Sequence, residues 1–104
     1  MENKTGRIVK EFDYIEGHFI YKKDKRVDFD FYLSSKKEVS FLQYILKSEN
    51  IESGIICLTD SPLGKAILGK MSTTTFIVED AKFYIDKIES LKEIIQKKEE
   101  EKTR

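Results

Sequence analysis

TDSPLGKAILGK, residues 59–70, is the stretch on which the reading of this chain turns. Asp60 or Ser61 can set a side-chain oxygen on the free amide hydrogens of a first helical turn. Pro62 fits directly behind them, because proline in the first helical position gives up no hydrogen bond and its fixed φ is already close to helical. Gly69 supplies the stop, and Lys70 puts positive charge near the carbonyl end. Between them Leu63, Ala66, Ile67 and Leu68 give a partly apolar face. The stretch predicts a short capped helix whose start, if exposed, offers a carboxylate, a rigid ring and amide hydrogens to a partner.

On the amino-terminal side, the apolar run 54–58 reads as a short strand, with Cys57 as a small buried residue within it. Before it, Ser34-Ser35 followed by Glu38 resembles a capping box, and Val39, Leu42, Ile45 and Leu46 recur at helical spacing, so residues 36–47 are predicted helical, ending by Asn50 and Gly54. Residues 27–33 alternate: Val27, Phe29, Phe31 and Leu33 form a core face, while Asp28, Asp30 and Tyr32 form a wet one. Residues 7–14 and 17–21 complete an antiparallel meander, with turns at Glu16-Gly17 and over residues 22–26. On the carboxy-terminal side, residues 73–78 and 81–88 pair across a turn at Glu79-Asp80. From Asp86 the period becomes helical, with Ile88, Leu91 and Ile95 on one stripe and a charged end at residues 99–102.

At 104 residues the chain is read as one core-bearing domain, residues 1–88, with a charged helical tail at 89–104. Charged residues make up 37%, yet twelve Phe and Tyr concentrate apolar surface, as a very soluble folded protein requires. The formal charge is zero, so the molecule as a whole does not attract phosphates or an anionic membrane, and any such binding is local. One cysteine rules out an internal disulfide, and no leader or bilayer-length apolar run is visible, which suits a cytoplasmic protein without a membrane anchor.

Catalytic chemistry finds little footing. His18 stands without a cysteine pair, and Asp28 and Asp30 on one strand face do not gather the oxygen ligands a divalent ion needs, so no metal or other cofactor is expected. Residues 72–75 carry hydroxyls but no nucleophile elbow, and Gly64 and Gly69 lack P-loop spacing. Lys22, Lys23, Lys25 and Arg26 beside Tyr21 form the best nucleic-acid candidate, read either as a phosphate-contacting group or as a solvated hairpin tip.

The run IICLTDSPLGKAILGKMSTTTFIVEDAKFYIDKI, residues 55–88, resembles the carboxy-terminal domain of the bacterial Gre transcript-cleavage factors. In that family a short strand leads into a (D or N)-S-P motif, a small helix ending in L-x-G-K, and two strands. The resemblance implies an α+β, FKBP-like antiparallel sheet with one main helix, the short helix at the motif and a helical extension at the end. It also implies binding to bacterial RNA polymerase at the rim of the secondary channel. The motif residues Asp60, Ser61 and Pro62 would then face the polymerase coiled coil, with Leu63, Lys65 and Lys70 as neighbours. Asp60 can alternatively be consumed by capping. Gre factors also carry an amino-terminal helical hairpin whose acidic tip helps hold a catalytic metal. Residues 1–6 are too short for one, so a non-enzymatic binding protein is expected. Two other readings stand beside this: an interaction or dimerisation module using the terminal helix, and, from fold analogy alone, a peptidyl-prolyl isomerase.

Overall fold

The structure, a computed structural model, describes residues 7–51, 55–71 and 74–102. Its frame is a five-stranded sheet built from β1 (Tyr14–Tyr21), β2 (Lys25–Ser34), β3 (Ile55–Leu58), β4 (Thr75–Val78) and β5 (Ala81–Glu89). Their spatial order is β3-β2-β1-β5-β4. The expected antiparallel sheet is corrected at one edge: β3 runs parallel to β2, from Phe31 beside Ile55 to Ser34 beside Leu58. Parallel neighbours need a crossover, and the helix between β2 and β3 provides it.

Two turns expected around Gly17 and Tyr21 have different fates. Lys22 and Lys23 do turn the chain, both at positive φ, and join β1 to β2. Glu16-Gly17 does not turn. It lies inside one continuous strand, and residues 7–13 are irregular apart from a bridge between Ile8 and Met71. The glycine serves close approach instead, since a Cβ there would stand 2.2 Å from the Tyr84 carbonyl oxygen and 2.7 Å from the Phe29 ring. A bulge falls at the same place. Glu16 pairs with Lys87 and Gly17 with Ile85, which leaves Asp86 as the extra residue on β5. The Glu79-Asp80 turn is found as expected, again with both residues at positive φ. Gly54 and Thr73, from which the sequence reading starts two strands, lie outside the described residues, as do residues 1–6.

Both faces of the sheet carry core. One buries Ile15, Phe31, Leu33, Ile85 and Ile88 together with Val9 and Ile67. The opposite face was expected to be wet, and at Asp28 and Asp30 it is exposed. Tyr32, two residues on, is only 4% exposed and forms a second cluster with Leu42 and Leu46. Those leucines come from α1 (Val39–Ser48), which follows a single 3-10 turn at Lys36–Glu38. The expected capping box is absent: neither Ser35 nor Glu38 makes a side-chain cap, because the Glu11 carboxylate accepts from the Ser35 amide at 3.0 Å. Asn50 ends the region as expected, at positive φ, with the Ile51 amide donating to the Leu46 carbonyl and the Asn50 amide to that of Lys47.

The terminal stripe also needs correction. Ile88 sits in β5 and in the first core cluster, so it lies on no helix. The helix that follows, α3 (Leu91–Lys102), sends Leu91 and Ile94 against the second cluster. No helix among the described residues is long and apolar enough to cross a membrane.

Candidate docking corner and basic hairpin tip

The carboxyl end of β2 sets the position of the 59–70 stretch. The Thr59 amide donates to the Ser34 carbonyl at 2.9 Å, carrying the β2–β3 ladder one step beyond Leu58. The chain then reverses into α2 (Pro62–Ile67), with proline in the first turn. Ser61, not Asp60, is the cap: its Oγ accepts from the Gly64 amide at 3.0 Å and donates to the Leu58 carbonyl at 2.7 Å. Cys57 Sγ lies 3.5 Å from the same hydroxyl. Ser61 therefore faces inward and ties the helix start to the end of β3.

Gly64 locks the corner more tightly still. It is buried, and a Cβ added to it would come within 1.9 Å of the Leu58 carbonyl oxygen. Its place one turn after a Ser-Pro start is the sequence signal for such close packing, and nothing else in the sequence marks it as part of the site. Beyond it Ile67 is fully buried and Leu63 packs against the first cluster, so α2 is pinned along one side. Gly69, at φ +88°, ends the helix, and its amide donates to the Val9 carbonyl.

With Ser61 and Gly64 turned inward, Asp60 and Pro62 are exposed, and so is Lys65. Leu63 and Lys70 are half-buried, and the Lys70 ammonium lies 6.0 Å from the centre of the Phe76 ring. The corner thus brings together a solvent-facing carboxylate and an imino ring on a backbone with few ways to move. Ile8, Leu68 and Met71 are exposed apolar side chains just past the end of α2, joined through the Ile8–Met71 bridge.

The second group of expected site residues lies elsewhere. Lys22, Lys23, Lys25 and Arg26 are exposed at the β1–β2 turn, at the opposite end of β2 from the corner. Nine strand steps at about 3.3 Å separate the two ends, about 30 Å in all. No single small partner bridges both groups. Arg26 is engaged with Asp28 at 3.0 Å. On the same open sheet face His18 Nδ1 lies 2.8 Å from the bulged Asp86 carboxylate, and its ring stacks on Tyr84. Among the described residues no group of three or more His, Cys, Asp and Glu is arranged to hold a metal ion.

No protein-family model matches the chain, and no curated protein matches it. Among solved structures it is similar to GreA factor homolog 1 of Thermus thermophilus, with a TM-score of 0.54 and 17% identity over 86% of this chain and 53% of that one. The chain thus spans about half the length of that protein. At this identity the likeness is one of fold: the mixed α+β arrangement described above is Gre-factor-like.

Proposed function

We propose that this chain is a transcription regulator that docks on bacterial RNA polymerase through the Asp60-Ser61-Pro62 corner and performs no chemistry of its own. The observation that carries the reading is the division of labour in the motif. Ser61 is spent on the cap, so the Asp60 carboxylate is not needed there and stands outward beside Pro62. A carboxylate on a preorganised backbone loses little freedom on binding, and a cationic or amide-rich surface on a partner helix is its natural complement. The Gre-like fold and the resemblance of the motif both support polymerase as that partner, and the FKBP-like description of the domain belongs to the same reading. Lys65 and Leu63 flank the corner as secondary contacts.

The test is direct. The full chain is immobilised and core RNA polymerase is passed over it, with Asp60→Ala/Pro62→Ala as the paired variant. Association in the micromolar range or tighter is expected, weakened about tenfold or more by the double substitution, on the scale of a lost central contact. No association at micromolar polymerase, or equal association by the variant, overturns the reading.

A further inference from the structure

The end of the sheet farthest from the docking corner carries a second, independent surface. The β1–β2 and β4–β5 turns lie side by side there, because β5 pairs with both β1 and β4. Between them is a shallow concavity lined by Ile20, Tyr21, Lys22, Lys23, Ile77, Asp80, Lys82 and Tyr84. Three ammonium groups meet one carboxylate in it, while Asp24 and Glu79 of the same turns do not line it. The chain is neutral overall, so this local excess is set against no background charge.

Its apolar and aromatic content is equally particular. Lys82 Nζ lies 5.6 Å from the centre of the Tyr84 ring, whereas the Tyr21 ring packs beside Phe19, 5.9 Å between centres, on the other face of the sheet. Register places Lys82 between Ile20 and Ile77 across three strands, and Ile77 is 72% exposed. Tyr84 is held flat by His18, with ring centres 4.6 Å apart and planes at 10°. Aromatic faces and apolar side chains on an open sheet, rimmed by cations, are what unpaired bases and their phosphates require. A base that takes a lysine's place on a tyrosine ring frees that ammonium for the neighbouring phosphate.

We propose that this concavity is a single-stranded nucleic-acid contact, in which Lys22, Lys23 and Lys82 bind phosphates while Tyr84 and Ile77 receive bases. Lys25 and Arg26, although adjacent in sequence, do not line it. The contact does not depend on the polymerase reading, and Asp60→Ala/Pro62→Ala leaves it intact.

The experiment is fluorescence anisotropy with a labelled 12-nucleotide oligouridylate and the full chain at 50 and 200 mM salt. Three phosphate contacts on a single strand give a logarithmic salt slope of about −2, so the fourfold rise in salt weakens binding about 20-fold. Lys22→Gln/Lys82→Gln flattens that slope to about a third. Tyr84→Leu lowers affinity about tenfold at both salt concentrations and leaves the slope unchanged. Melting curves of the variants, all changed at or near the surface, separate lost binding from lost folding. The proposal fails if no binding is seen at 50 mM salt. It also fails if inorganic polyphosphate or a duplex of equal length binds as well as the single strand, or if Tyr84→Leu binds like the parent.

Discussion

Asp60, Ser61, Pro62 and Gly64 lie within five positions of one another and divide cleanly between holding the fold and facing solvent. Gly64 is the most constrained, because the atoms its Cβ would meet are the Leu58 carbonyl and the Thr59 Cα, backbone that cannot rotate away. Gly64→Ala is expected to cost about 3 kcal/mol, the upper range for forcing extra volume into a packed site. Ser61→Ala removes an acceptor from the Gly64 amide and a donor from the Leu58 carbonyl, and is expected to cost about 1 kcal/mol. Asp60→Ala changes an exposed side chain outside the cap and should stay within about 0.5 kcal/mol of the parent. Urea unfolding of the three variants orders them, and a Ser61→Ala variant as stable as the parent contradicts the assignment of the cap. The sequence made a helix start at Asp60 or Ser61 legible. It left open which of the two was spent, because that choice is made by the Leu58 carbonyl reaching in from β3.

The S-x-x-E pattern occurs twice at helix starts, and the two outcomes show what a local signal can and cannot specify. At Ser35 and Glu38 the box does not form, since a carboxylate from Glu11, far back in the chain, already occupies the serine amide. At Ser90 and Glu93, where the sequence suggests a helical stripe, it forms fully: the Ser90 amide donates to Glu93 and the Glu93 amide to Ser90 Oγ at 3.1 Å. Arg7 completes it with two bonds to the Glu93 carboxylate, at 2.6 and 2.8 Å, and a third to the Ile88 carbonyl. The guanidinium bonds and the Ser90 amide hold Glu93 down to about 2, against its ordinary 4.5. This stabilisation is therefore complete above about pH 4.5 and lost as the pH falls toward 2. Asp13 acts with the opposite sign, because burial raises its carboxyl and acid relieves the penalty on its charge. Glu93 is 40% exposed, so solvent screening reduces the link to about 1 kcal/mol. Glu93→Gln should thus lose stability at pH 6 and approach the parent as the pH falls to about 2, measured by urea midpoints across that range; a constant offset between the two proteins refutes the linkage.

At the scale of the whole molecule, the strands were legible wherever alternation is local, as at residues 27–33, and the covering of the sheet was not. Asp28 and Tyr32 share a face, yet one is exposed and the other buried, because α1 and α3 return over only that half of β2. Where a helix returns depends on the crossover from β2 through α1 to the parallel β3, a long-range choice that no window of a few residues contains. The same logic bears on what α3 does. Leu91 and Ile94 pack against the second cluster, Leu91 from the very stripe that a partner helix would have used, and Arg7 ties the helix start to the amino-terminal segment. A helix engaged in this way belongs to the fold before it belongs to any partner. A chain ending at Glu89 loses two partly buried aliphatic side chains and the Arg7 link, about 2–3 kcal/mol together, which for a domain of this size lowers the melting temperature by about 10 °C or more. The parent's melting temperature should also be independent of protein concentration, as expected when no second copy contributes to the core. If the shortened chain keeps its melting temperature while sedimentation shows a dimer becoming a monomer, α3 serves a partner and the second cluster stands without it.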